Sequence, residues 1–467
     1  MYIIVVGAGE VGSYVAERLS GQEHDIALIE VDPVRFREID KDLDVLAVRG
    51  SGTDPGCLKQ AGLDKADLLV AVTANDEANL LSALLARQAG VKKTIVRVES
   101  RRLRRPEVNS LFKGVADHLV IDPDEEVAEQ VLRLMEYPGA LDVARMAGGE
   151  VVVIGARLPA HAPLVGVTLG ALGRDLEPDW DFIVGSIRRQ ADAHDHSSEE
   201  TTFIPRADAV LVEGDLLRII CKHRALKDVT HRLGIARDMP TRALLLGGGR
   251  TAQMLSEALI DRGIDVAIIE LDERRAEELA AELPRTLVFR GDIVDADMLE
   301  EADVGGQDVV IALTGEDDSN VLACLYAQAA GAIRNGTDGA LKTIAVVHRL
   351  KLLDLLETHQ VGATLSPRTA TANSVLRFVR GDVGTVAAVA TYLQGDVEIL
   401  EFAVSDSCPC AGSTVAELHM PHDSLIGAIV RDGKAQIARG RSTLRARDHV
   451  VVLAKPESVD RVTALFA

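Results

Sequence analysis

The sequence predicts an α/β chain of two doubly wound parallel-sheet lobes, each followed by a small α+β lobe. Three observations carry that prediction. The stretch "MYIIVVGAGEVGSYVAERL" runs from an apolar strand ending at Val6, through glycines at GxGxxG spacing, into an amphipathic helix. "RALLLGGGRTAQMLSEALI", starting at Arg242, repeats that strand, elbow and helix in mid-chain. Apolar residues make up 47% of the chain and aromatics only 3%, the Ala, Val, Leu and Ile composition of buried parallel strands and the helices over them. The elbows make the two large lobes Rossmann-like.

Each glycine of the first elbow has its own task. Gly7 permits the tight turn, Gly9 leaves room for a pyrophosphate, and Gly12 lets the helix pack closely on the strand. Ala8, Glu10 and Val11 complete the loop, where the helix start offers backbone N–H groups to phosphate oxygens. "HDIALIEVD" is the second strand, and it ends in Glu30, placed to accept hydrogen bonds from ribose hydroxyls. A carboxylate there repels a 2′-phosphate. Arg35 and Arg37 lie a few residues on, but Val31, Asp32 and Pro33 supply no cation, so NAD(H) or another adenosine nucleotide is expected rather than NADP(H).

A chain of 467 residues implies three or four domains, and its formal charge of −21 repels nucleic-acid backbones and anionic lipid. Met1 leads into a strand without a basic leader, and no apolar run is long enough to span a bilayer, so a soluble cytoplasmic protein is expected. Five scattered cysteines read as reduced thiols. The one close pair, Cys408-Pro-Cys410, reads as a surface turn, with a soft-metal or redox role as the alternative.

Self-comparison fixes the order of lobes. Gly7 matches Gly247, Glu30 matches Glu270 and Asp32 matches Asp272 at an offset of 240; Thr73 and Thr314, and Asn79 and Asn320, match at 241. "ADLLVAVTANDEANLLSALLARQAG" reads alongside "QDVVIALTGEDDSNVLACLYAQAAG", each a strand, a turn opened by Thr, and a long helix. Pro123 then answers Pro367. The following segments share a strand, a loop with a small-residue start at Gly166 or Gly412, and a closing β run. "DPDEEVAEQVLRLMEYPGALDVARM" should be a crossover helix broken near Pro138 and Gly139, and "RDMPTR" around Pro240 the linker between halves.

A dehydrogenase would need an acid/base group near the nicotinamide, and none is evident. His118 has no counterpart in the second copy and reads as a surface or interface residue. His194 and His196 read as part of a solvated loop, since two histidines without a third ligand rarely hold a metal. "ESRRLRRPE" reads as a solvated edge or a docking contact. No Walker A lysine or Ser/His/Asp arrangement stands out.

The whole chain resembles the TrkA family, cytosolic nucleotide-binding subunits of bacterial Trk potassium uptake systems built from two tandem RCK (KTN) units. The words that carry the resemblance are "IIVVGAGEVG", "GSGTDPGCLKQAG", "VAVTANDEANLL", "EYPGAL", "GGGRTA" and "SLIGAIVRDG". It implies RCK N-lobes at 1–123 and 240–366, crossover helices at 124–147 and 367–384, and RCK C-lobes at 148–230 and 385–467. It implies no catalysis. What it does imply is NAD(H) binding with ATP or ADP as further ligands, a homo-oligomeric ring, and gating of a TrkH-type membrane partner from the cytosolic face. The first pocket would use Gly7 to Gly12, Glu30, Thr73, Ala74 and Arg97. The second would use Gly247, Gly248, Gly249, Arg250, Thr251, Glu270, Thr314 and Gly315. Ala252 replaces the third glycine there, and Val346 stands where the first half has Arg97, leaving the second site one cation short. The two sites should therefore differ in ligand or affinity, the first favouring the more highly charged or tighter-binding nucleotide. A nicotinamide-dependent oxidoreductase and a regulator of another cation transporter are the alternatives.

Overall fold

Short all-apolar runs that alternate with amphipathic helices can bury both faces only by stacking in parallel with helices on each side, and that is how both large lobes are built. The computed structural model describes residues 1–20, 24–112, 117–189, 201–335, 341–358, 361–381, 386–391 and 397–466. The first six strands are β1 (Tyr2–Val6), β2 (Asp25–Glu30), β3 (Leu46–Arg49), β4 (Leu68–Ala71), β5 (Lys93–Arg97) and β6 (Asp117–Ile121). They lie in parallel in the order β3-β2-β1-β4-β5-β6. That is the dinucleotide-fold order, whose direction reverses between β1 and β4.

β7 (Asp142–Met146), β8 (Val151–Arg157), β9 (Phe182–Arg189), β10 (Thr201–Phe203) and β11 (Leu216–Lys222) form a mainly antiparallel sheet ordered β10-β9-β11-β8-β7. β12 (Arg242–Leu246), β13 (Asp265–Glu270), β14 (Thr286–Arg290), β15 (Val309–Ala312), β16 (Lys342–Val346) and β17 (Ala363–Leu365) repeat the parallel order as β14-β13-β12-β15-β16-β17. β18 (Val386–Thr391), β19 (Glu398–Ala403), β20 (Ser424–Arg431), β21 (Lys434–Ile437) and β22 (His449–Ala454) close the chain as β18-β19-β22-β20-β21.

The first crossover helix spans Pro123–Glu136, with the conformationally fixed proline at its first position. It is shorter than the expected 124–147: the chain turns at Pro138 and Gly139, and residues 142–146 are the strand β7. A Cβ at Gly139 would lie 1.9 Å from the Ile235 carbonyl oxygen, so only glycine fits there. The second crossover helix, Pro367–Gly381, likewise starts on proline.

The chain divides into two units. The first joins residues 1–127 to 366–379, so the first parallel sheet carries the crossover helix of the other half. Ala372, Val375, Leu376 and Val379 of that helix share one core with Ile3, Val5, Leu28, Val70 and Ile95. The second unit holds residues 128–365 and 380–467. Within it the two antiparallel sheets pack face to face, Val151, Val153 and Ile220 against Ile399, Val430, Val451 and Leu453. Gly427 permits the approach, since a Cβ there would meet Ile220 Cδ1 at 2.2 Å.

Both small lobes hold a matching ion pair between a buried aspartate and a partly exposed arginine. Asp215 receives Arg189 through both carboxylate oxygens, at 2.7 and 2.8 Å, and Asp448 receives Arg431 at 2.7 and 2.6 Å. Cys408 and Cys410, expected on a surface turn, are instead nearly inaccessible in the core beside Phe402 and Phe466 and are joined as a disulfide. The physical reason is that the pair sits on a loop folded under the last helix, Val459–Phe466, where apolar sulfur replaces side chains that would otherwise fill the space.

Candidate functional site

Each elbow lies where an apolar strand ends at the carboxyl edge of its sheet, beside the point at which the strand order reverses. At the first, Gly7 N–H donates to Ile29 O at 2.9 Å, which holds the loop against β2. Gly7 has φ +97°, and a Cβ there would press on Thr73 Cγ2 at 2.8 Å, so the turn needs glycine on both counts. A Cβ on Gly9 would meet nothing within 4 Å, which leaves open space over the loop. One on Gly12 would stand 1.8 Å from the Gly7 carbonyl oxygen. Ala8 and Val11 are buried beneath, and Glu10 is exposed at the first turn of the helix Glu10–Ser20.

Glu30 closes the loop from the side. Its Oε2 accepts from Ala8 N–H at 2.7 Å and its Oε1 from Asp32 N–H at 2.8 Å, with only 5% of the residue accessible. Asp32 in turn caps the next helix by accepting from Val34 and Arg35 N–H, which holds its carboxyl below the usual range.

The second elbow reproduces this arrangement. Gly247 has φ +99° and its N–H donates to Ile269 O at 2.8 Å. Glu270 accepts from Gly248 N–H at 2.6 Å and Asp272 N–H at 2.8 Å. Gly249 opens on free space as Gly9 does, and it precedes the helix Arg250–Asp261, whose first turn holds Arg250 and Thr251. Ala252 is fully buried where the first half has Gly12.

Thr73 and Thr314 face their elbows from the turns after β4 and β15, with Ala74 and Gly315 exposed beside them. A pair of residues recognised only as repeat matches organises these turns. Asn79 Oδ1 accepts from Thr73 N–H at 2.9 Å and from its hydroxyl at 2.7 Å, while its Nδ2 donates to Thr73 O and Arg97 O. Asn320 makes the same four bonds with Thr314 and Val346 O. Both amides are wholly buried, and each ties the threonine turn to the end of the next strand. A polar residue repeated inside an otherwise apolar helix face was the available signal.

The cations fall differently from the sequence reading. Arg97 stands at the carboxyl end of β5, but its guanidinium is paired with Glu99. Arg368, from the second crossover helix, reaches Glu10 at the first elbow. The second elbow is not a cation short: Arg275 Nε donates to Gly248 O at 2.9 Å and its Nη2 to Gln253 Oε1 at 3.2 Å. Comparing Arg97 with Val346 could not find this, because Arg275 enters from a different helix.

His118 lies on β6 at the opposite sheet edge. It stacks on Phe112 with centroids 3.8 Å apart and bonds Thr94 Oγ1 at 2.7 Å. Arg104 of the basic run binds Asp122 and Glu125, both at 2.6 Å, so part of that run is structural. His194 and His196 lie outside the described residues. Among the described residues no helix is long and apolar enough to cross a membrane, and no cluster of three metal-ligating side chains forms.

Two parallel sheets in tandem, each with a glycine elbow closed by a strand-end glutamate, define a duplicated protein of the Rossmann class. The model of the TrkA-N domain matches residues 3–120 and 243–367, and that of the TrkA-C domain matches 399–467. The chain belongs to the TrkA family.

It is similar to the Trk system potassium uptake protein TrkA of Halomonas elongata, at 31% identity over 97% of this chain and 95% of that one. The TrkA of Vibrio alginolyticus is 31% identical over 100% and 98%, and the TrkA homolog of Archaeoglobus fulgidus 32% identical over 100% of each. Among solved structures it shares its fold with the GsuK RCK domain, at 16% identity and TM-score 0.56, covering 100% of this chain and 94% of that one. The GsuK channel bound to NAD matches at the same identity and TM-score, covering 100% and 78%.

Proposed function

We propose that the chain is the cytosolic regulatory subunit of a Trk-type potassium uptake system, binding NAD(H), and ATP or ADP as alternatives, at its two elbows. The observation that carries the reading is the pair of strand-end carboxylates, Glu30 and Glu270, each held by two backbone N–H groups of its own elbow region. That arrangement fixes an acceptor at the depth of a ribose while the adjoining loop glycine leaves room for phosphates. The relatives named as potassium uptake proteins, and a neighbour solved with NAD, support ligand and role together.

In this reading the first site uses Gly7 to Gly12, Glu30, Thr73, Ala74 and Arg97. The second uses Gly247 to Thr251, Glu270, Thr314 and Gly315. Nucleotide is a signal and not a substrate: occupancy shifts the balance of two arrangements of the chain, and a membrane potassium-translocating partner of the TrkH type reads that balance on its cytosolic side. Coupling of about 1–3 kcal/mol suffices for such a gate. Two tandem units per chain favour a closed homo-oligomeric ring.

The sites differ in how their cations are held rather than in how many they have. The first has Arg97 and Arg368, both engaged by glutamates that phosphates could displace, while the second has Arg250 and Arg275. The test is calorimetric titration with NADH, NAD⁺, ATP and ADP on the wild type and on Glu30→Ala and Glu270→Ala. Micromolar binding without turnover, weakened at least tenfold at one site by each substitution and with different nucleotide rankings, is expected. Binding of no nucleotide would sink the reading; identical isotherms for the two variants would remove the inequality alone.

A further inference from the structure

The second unit contains a cavity of about 520 Å³ that none of the elbow residues lines. Its walls come from the turn after the first crossover helix, the end of β8, the turn before β11, the linker leading to β12, and the starts of β16 and β17. The last two place it at the amino ends of the second parallel sheet, opposite the edge that carries the elbow.

Six ionisable side chains line it: Asp142, Arg157, His161, Glu213, Arg237 and Lys342. Among these described residues, Arg157, Arg237 and Lys342 stand with two carboxylates, Asp142 and Glu213. Asp142 is committed to Arg218 at 3.2 Å, and burial raises its pKa against the pull of that guanidinium. Glu213 is exposed at the rim. Lys342 Nζ donates to the carbonyls of Leu134, Tyr137 and Ala140, at 2.7, 3.3 and 3.3 Å, where the first crossover helix ends and turns. Those carbonyls favour the ammonium form. Burial, and then the Arg237 guanidinium, oppose it and push Lys342 down to about 7. Arg157 Nη1 donates to Gly214 O at 3.0 Å, and His161 Nε2 donates to Gly234 O at 3.1 Å, so both are fixed in the wall.

We propose that this cavity is a second effector site, taking a compact oxygen-rich polyanion, a small organic phosphate or polycarboxylate, between Arg157, Arg237 and Lys342. The volume suits a ligand of that size. Bound anion offsets the repulsion between Arg237 and Lys342 and keeps the lysine charged against the three carbonyls. Occupancy thus ties together the first small lobe through Arg157, the inter-half linker through Arg237, and the second parallel sheet through Lys342.

The test uses the full chain and pyridoxal 5′-phosphate as a probe that reports its own position. Its phosphate addresses the arginines, and its aldehyde condenses with a lysine amine, losing water to form an imine. Borohydride delivers hydride to that imine carbon, leaving a stable secondary amine that peptide mass spectrometry locates. Labelling at Lys342 near pH 7 should exceed that of exposed lysines, fall at least tenfold in Arg237→Gln and Arg157→Gln, and be unchanged in Glu30→Ala. Inorganic pyrophosphate and citrate should each protect Lys342, and the stronger protector distinguishes a phosphate ligand from a carboxylate one.

Labelling that bypasses Lys342, or that neither anion nor either arginine substitution diminishes, overturns the proposal. Calorimetric titration with pyrophosphate and citrate gives the second reading. Isotherms unchanged in both arginine variants overturn it as well, whatever the elbows bind.

Discussion

Single residues decide how much strain each part of the chain tolerates. Gly12 and Ala252 occupy the same repeat position, yet a Cβ on Gly12 would meet the Gly7 carbonyl at 1.8 Å, while Ala252 sits fully buried. The first elbow is therefore wound more tightly, and Gly12→Ala should lower the melting temperature and abolish first-site binding, whereas Ala252→Gly should leave binding at the second site intact. Thermal melts and titrations of the two variants check this. The buried Asp448 makes a sharper stability prediction. Its partner Arg431 is a third accessible, yet the carboxylate itself has no access to water. Asp448→Ala leaves the arginine half-buried without its counter-ion and removes the acceptor for Arg445 N–H, so a loss on the order of 3 kcal/mol is expected by chemical denaturation.

At the scale of elements, β5 and β6 hold an acid-sensitive contact. Burial pushes the His118 imidazole down to about 4 from 6.5, against the Thr94 hydrogen bond that raises it. The unfolded chain therefore takes up a proton near pH 6.5 that the folded chain refuses until about pH 4. The contribution is fully present above 6.5 and is lost as pH falls through that window. Melting temperature should drop more steeply between those values in the wild type than in His118→Phe, and parallel curves would show that the histidine is not responsible. The Asn79 and Asn320 turns belong to the same scale. Each amide satisfies four backbone or side-chain groups at the junction of a helix, a turn and a strand, so the threonines reach the elbows already oriented.

For the whole molecule, the decisive feature is that the first parallel sheet is completed by residues 366–379. Val375 is fully buried in a core shared with β1, β2 and β4. Val375→Asp should cost several kcal/mol and remove amide-exchange protection at Ile3 to Val5, more than 360 residues away in sequence. Protection lost only around residue 375 would show that the helix is dispensable to the sheet. The same exchange sets Arg368, from the second half of the sequence, beside Glu10 at the first elbow.

The sequence by itself determined the repeated part of this protein: two strand–glycine–helix elbows, their strand-end glutamates and the alternation of large and small lobes. These are local, since a turn with positive φ, an apolar strand and a proline-led helix are each dictated by a few neighbouring residues. Tertiary structure alone decided which half each crossover helix covers, where Arg275 and Arg368 bring their charges, and that Cys408 and Cys410 lie inside. A helix's apolar stripe states that it must be buried but not against which of two similar sheets, and a long cation's destination depends on a backbone far away in sequence. The cavity around Lys342 has the same origin, because its walls come from segments distant in the chain that meet only once two lobes have packed.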